Sequence, residues 1–320
     1  MKEHSFSEPA DLSDLNDKES WLVLFIALAE MEAHNYELWE QFKNQLLYQN
    51  RFYSKHPIVH QIQEKSAIST KTLYKGAVFY RARKYTRNDY YNKTIKYILE
   101  KSGRTTAEIK DIQDNLSTNL QSLLVAPHLF SNFEEKDTEP SLKSAWKKWK
   151  KHVRFKGYNR KESSAPPSDI ISVGRINPAH IRYLYLSEDK YTPIYEMRPI
   201  IGQKISLARF KLNRNVKVYD LTLAPQDNSC ALHGVDDGLY IAIKSMFSKP
   251  NEGQESEYLP TQFIAEEIKR MGFDGIRYNS ALNAGGINLV LFNPEDCTAV
   301  SSDLIVVNNI KITYESPYKY

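Results

Sequence analysis

Between Gly174 and Glu196 the chain reads GRINPAHIRYLYLSEDKYTPIYE. This stretch joins a Gly-Arg-x-Asn-Pro turn, aromatic hydroxyls at Tyr183 and Tyr185, and the carboxylate of Glu196. A hydroxyl that can donate or accept, near a carboxylate that can face positive charge, suits chemistry on a polar substrate. Upstream, FYRAR at 79–83 alternates so that Arg81 shares a strand face with Phe79. A guanidinium held in a cleft there could grip phosphate or carboxylate at two points, which a lysine could not. A solvent-facing arginine on an edge strand fits the same segment equally well.

Two other groupings carry a chemical reading. Arg51 and His56 have four residues between them. Their spacing resembles the arginine–histidine pair of the HEPN ribonucleases, small helical-bundle proteins. There the histidine would act as acid–base and the arginine would hold phosphate. Phe52 follows the arginine where that family usually has a polar residue, and a helical scaffold without activity is the simpler reading. The run SAWKKWKKHVRFK sets Trp146 and Trp149 among basic side chains. Aromatics between basics can stack on nucleic acid. Residues three apart also share one helix face, with lysine stems lying alongside, and that reading is preferred.

Composition narrows the classes. The 320 residues carry 43 basic and 39 acidic side chains, a net charge of +4, too balanced to argue for nucleic acid. Two cysteines, Cys230 and Cys297, support neither a disulfide framework nor a structural zinc site. The acidic, polar start is wrong for a signal peptide. The apolar run at 21–29 is too short to span a bilayer. A soluble, cytoplasmic protein without a membrane segment is expected.

Elements must position these residues. Apolar spacing predicts a helix from Ser20 to about Asn50, with Leu22, Phe25, Ile26, Leu38, Phe42 and Leu46 on its inner face. His56-Pro57 breaks it and a shorter helix is expected over 58–65. Strands are expected at 77–81, 182–186, 204–212, 216–221, 274–278 and 287–292. Between 88 and 165 helices are expected at 95–100 and 109–124. A helix at 239–246 would be capped by Asp237. Another begins at Pro260-Thr261 and ends at Gly272 in a left-handed cap. Several strands with few helices between them predict an α+β fold.

The pieces FYRAR (79–83), GRINP (174–178), YLYLSED (183–189), Glu196 and GFDGIRYNSALNAGGINLVLF (272–292) stand in a fixed order. In that order they resemble the RES domain, a family named after an Arg, a Glu and a Ser. The resemblance covers Leu73 to about Thr298 and implies a mixed β core related to ADP-ribosyltransferases. It implies activity on NAD as a substrate, with no separate cofactor and no metal: release of nicotinamide by hydrolysis, phosphorolysis or ADP-ribosyl transfer. Many relatives are toxins restrained by an antitoxin, so an antitoxin or activating protein, and self-association, would fit as partners. The resemblance puts the catalytic roles on Arg81, Tyr185, Glu196 and Ser280. It puts substrate contacts on Arg81, Gly174, Arg175, Asn177, Tyr185, Ser280 and Asn288. Residues 1–70 then form a helical, HEPN-like N-terminal domain, and 71–310 the RES domain with a helical, basic insertion at about 88–170. That long insertion leaves Arg83 and Arg87 as rivals for the arginine role.

The implied chemistry suits one essential carboxylate. The nicotinamide leaving group is already cationic and needs no protonation, so stabilising the oxocarbenium-like transition state is the remaining task. No glycine fingerprint of a dinucleotide-binding fold follows a strand, which argues against a dehydrogenase.

Overall fold

The computed structural model describes residues 18–52, 55–85, 154–222, 235–249 and 255–310, with Thr105 and Ala107. The expected helices at 95–100 and 109–124, the run around Trp146 and Trp149, Arg87 and Cys230 lie outside the described residues. In chain order the elements are α1 (Lys18–Tyr48), α2 (Pro57–Glu64), β1 (Thr70–Leu73), β2 (Val78–Lys84), α3 (Arg160–Ser163), β3 (Leu184–Ser187), α4 (Thr192–Glu196), β4 (Lys204–Leu212), β5 (Val216–Asp220), α5 (Val235–Ser248), α6 (Leu259–Arg270), β6 (Gly275–Asn279), β7 (Ile287–Leu291) and β8 (Cys297–Val306). The fold is α+β, with N-terminal helices and eight described strands in mostly antiparallel pairing. Among the described residues no helix is long and apolar enough to cross a membrane.

The chain forms two compact units interleaved in sequence. The first comprises Met1–Lys71, Ile171–Ile181 and Lys217–Ala281; the second comprises Thr72–Ile170, Arg182–Val216 and Leu282–Tyr320.

The first unit is mainly helical. Trp39, Phe42 and Leu46 bury one stripe of α1, at helical spacing. Phe42 meets Trp39 and Phe263 edge-on, at ring separations of 6.3 and 5.7 Å. Leu22 and Ile26, expected on the inner face, are 59% and 48% exposed. The N-terminal half of α1 therefore continues the helix without burying those two side chains. His56 caps α2: its Nδ1 accepts from Ile58 N at 3.4 Å, and Pro57 starts the first turn. β5 and β6 pair in parallel, Val218 opposite Gly275. Parallel neighbours require a crossover connection, and α5 and α6 lie within it. Asp237 falls inside α5, which starts at Val235, so it is not the expected cap. α6 begins with Pro in its first turn and ends as expected, with Gly272 at φ 84°.

The second unit is a five-strand antiparallel run ordered β7-β3-β2-β4-β8. Its longest ladder, β4 with β8, runs from Lys204↔Val306 to Leu212↔Cys297 and shifts register once, at Arg209/Phe210. The strand expected at 182–186 is Leu184–Ser187. Arg182 instead turns its guanidinium to the carbonyl of Ala165, at 3.2 Å from Nη2. Residues 154–163 lie along β8 and β4. Ser302 Oγ donates to Tyr158 O at 2.8 Å, and Tyr158 N donates to Ser206 Oγ at 2.8 Å. A Cβ on Gly157 would overlap the Ser206 side chain, so this close approach requires glycine.

Candidate active site

Within the second unit, α4 packs against β2, β3 and β7. Those strands carry Arg81, Tyr185 and Asn288, and α4 ends on Glu196. The position of α4 follows from a local turn. Asp189 Oδ1 accepts from Tyr191 N at 2.7 Å and Thr192 N at 2.9 Å, and the Thr192 hydroxyl donates to Asp189 Oδ2. Partial burial works against the Asp189 charge, but the hydrogen bonds from Thr192 and Tyr191 outweigh it and hold the carboxyl below its ordinary range. Pro193 sits in the first turn, where its fixed φ suits a helix start. Asn283 Nδ2 donates to Thr192 Oγ1 at 2.8 Å, and a Cβ on Gly286 would overlap that same oxygen. The loop before β7 is thus fitted to the start of α4.

Glu196 itself is exposed, yet its carboxylate has a fixed neighbour. Asn288 Nδ2 donates to Glu196 Oε1 at 2.8 Å. Ser187 lies directly opposite Asn288 in the β3–β7 register, and Ser187 Oγ donates to Asn288 Oδ1 at 2.8 Å. Ser187 and Asn288 are 2% and 6% exposed. Tyr185, two residues before Ser187, is half-buried. Tyr183 precedes the strand and belongs to the core, its ring 5.0 Å from that of Phe292.

Arg81 carries an electrostatic anomaly within this group of residues. Its Nη1 is buried and has no hydrogen-bond partner among the described residues. Burial pulls the guanidinium down to about 10, the charge of Arg83 pulls the same way, and Tyr185 opposes both. At neutral pH it stays charged. Arg83, its rival, is occupied: Nη1 donates to Glu162 O, and the guanidinium lies 5.4 Å from the centre of the Tyr158 ring. Arg83 thereby ties β2 to the residues around α3, which leaves Arg81, of these two, with unspent capacity.

The remaining predicted residues belong to the first unit. Ser280, just after β6, is half-buried. Gly174 N donates to Asn177 O at 2.9 Å, closing the predicted turn. Arg175 sends Nη1 to Met246 O at 3.2 Å and Nη2 to Lys249 O at 2.5 Å. Asn177, buried, sends Nδ2 to Ser172 O and Pro178 O at 3.1 and 2.9 Å. Gln262 Nε2 donates to the carbonyls of Gly174 and Asn177, at 2.7 and 3.0 Å. The turn is therefore built into the fold around the end of α5 and the start of α6. Arg51 is exposed; His56, by contrast, stacks on Phe42 at 5.1 Å and is lowered by burial, as suits a neutral cap.

Sequence reasoning gave no role to Ser187, Asp189, Thr192 or Asn283. Asp189 with Thr192-Pro193 is a helix-start signature and was readable as such. The Asn283 and Ser187 contacts span 91 and 101 residues and had no local signal.

The family model for the RES domain matches residues 147–312, just over half of the chain. No curated protein matches it. Among solved structures, the M. tuberculosis MbcT-MbcA toxin-antitoxin complex gives a match with a TM-score of 0.35 at 11% identity, covering 79% of this chain and 93% of that one.

Proposed function

The chain belongs to the RES domain family, and on that premise we propose that it consumes NAD by cleaving the nicotinamide–ribose bond, as a toxin or defence effector. The observation that carries this reading is Arg81, whose buried Nη1 has no partner among the described residues and whose guanidinium lies near Tyr185. Such a group costs free energy unless a ligand satisfies it, and an anionic diphosphate would do so at two points.

In the reaction the bond from ribose C1′ to the nicotinamide nitrogen breaks, and its electron pair leaves with nicotinamide, which becomes neutral. The positive charge then lies on the ribose. Glu196 faces that charge and stabilises the transition state. Tyr185 stacks on nicotinamide or holds its ribose. Water, phosphate or a macromolecule captures the ribosyl cation, and an antitoxin or activating protein would restrain or trigger the activity.

The test is product analysis of the purified protein with NAD, with and without phosphate. Free nicotinamide is expected, with ADP-ribose, its phosphorylated form or a modified acceptor as co-product. Glu196→Gln should lower the rate by about a hundredfold or more, by analogy with loss of one preorganised electrostatic group. Binding of NAD with no nicotinamide released by the wild type would sink the proposal.

A further inference from the structure

The Ser187–Asn288 pair has no place in the bond-breaking step, yet it ends on the carboxylate at the centre of it. Asn288 has a carbonyl and an amide group whose identities matter here. Ser187 has one hydroxyl proton, and it goes to Asn288 Oδ1. That bond fixes the amide so that Nδ2, the donor, faces Glu196. A flipped amide would oppose a carbonyl to the carboxylate. Both residues are buried, so water cannot readily substitute for either bond. Glu196, by contrast, stands at the end of a five-residue helix and is exposed. An exposed glutamate ordinarily samples several rotamers, and holding one costs side-chain entropy.

We propose that Ser187 and Asn288 form a buried hydrogen-bond relay that positions the Glu196 carboxylate, making them positioning residues for the reaction; this rests on the reading of Glu196 as its catalytic carboxylate. The relay acts through orientation: Asn288 sets where the carboxylate lies, and Ser187 sets which end of Asn288 faces it. Preorganised charge stabilises a transition state only when it is already aimed. The Ser187–Asn288 rung also crosses from β3 to β7, strands that both pack against α4, so the carboxylate is referenced to the sheet and not only to its own short helix.

The test is a double-mutant cycle on nicotinamide release, with melting temperatures to confirm folding. Asn288→Ala is expected to lower kcat at least tenfold while changing KM for NAD less than threefold. Asn288→Asp, nearly the same shape but with an acceptor where the donor was, should be worse than Asn288→Ala. Ser187→Ala should fall between wild type and Asn288→Ala, because the amide can then flip but is not removed; Ser187→Thr, which restores a hydroxyl, should recover part of the loss. In a Glu196→Gln background, Asn288→Ala should cost less than twofold more, since residues acting through one group are non-additive. Folded Asn288→Ala with wild-type kcat, or an undiminished loss in the Glu196→Gln background, overturns the relay while leaving Glu196 catalytic. Glu196→Gln as active as wild type overturns the catalytic reading and the relay with it. Should Asn288→Asp fail to fold, the Ser187→Ala and Ser187→Thr pair still decides: equal rates for wild type, Ala and Thr overturn it.

Discussion

At the residue scale, Arg81 and Arg83 show how little spacing alone can decide. They stand two apart on one strand, so alternation gives both the same face and the sequence cannot rank them. Tertiary contacts do. Arg83 is taken up by Glu162 and Tyr158, while Arg81 keeps a buried nitrogen with no partner among the described residues. An unsatisfied buried charge is a local fault that a protein keeps only where something repays it. Stability and activity should therefore respond to Arg81 in opposite directions. Arg81→Met keeps the length and apolar stem and removes the charge. It is expected to leave stability unchanged or raise it by about 1 kcal/mol, since the lost group had an unmade hydrogen bond. It should abolish nicotinamide release. Urea denaturation beside the NAD assay checks both. Arg83→Met is expected to show the reverse ranking, a clear loss of stability with a smaller loss of activity. An Arg81→Met protein that is markedly less stable than wild type would mean that the guanidinium is structural.

At the element scale, the two short helices near chemistry-bearing side chains are held at their starts by side-chain hydrogen bonds, and those bonds assign roles. Asp189 fastens the start of α4 and thereby the place of Glu196. His56 fastens the start of α2, and only as a neutral imidazole can its Nδ1 accept from Ile58 N. Burial lowers its pKa below the ordinary value of 6.5. The unfolded chain then binds a proton before the folded one does, so stability from this cap is fully present above pH 6.5. It is lost as pH falls from there through the folded value. His56→Asn keeps a good N-cap and has no titration. The variant should match wild type at pH 7.5 and lose less of its melting temperature at pH 5.5. Nicotinamide release should be the same in both, whereas cleavage of RNA that disappears in the variant would revive the ribonuclease reading. These elements were legible in different degrees. The start of α6 at Pro260 and its end at Gly272 followed from residue chemistry that needs no partner. The cap assigned to Asp237 failed because α5 starts two residues earlier, and the outer position of Leu22 and Ile26 is a property of what packs on α1, which periodicity does not contain.

At the scale of the whole molecule, each unit draws on separated stretches of chain, and this limits what a linear reading can see. The motif order 79–83, 174–178, 183–189, 196 and 272–292 was legible and led to the right family. The assignment of Gly174, Arg175 and Asn177 to one compact unit, and of Arg81, Tyr185, Glu196 and Asn288 to the other, was not, because it depends on contacts such as Arg175 to Met246 and Gln262 to Gly174. Two compact units need not unfold in one step. A ligand that binds only the folded state raises the stability of whatever unfolds with its site, by about 2.7 kcal/mol at a hundredfold excess over Kd. In Glu196→Gln, which should bind NAD without consuming it, NAD is expected to raise the transition that carries the second unit by roughly 5 °C or more at that excess. The transition identifies itself, since it is the one whose midpoint Arg83→Met lowers. In Glu196→Gln combined with Arg81→Met the NAD-dependent rise should vanish, because the diphosphate grip is gone. Calorimetry with NAD, and with adenosine alone as a control lacking the diphosphate, reads the result. An equal rise with adenosine, or a rise that survives loss of Arg81, would place recognition on the nucleoside and remove Arg81 from the site.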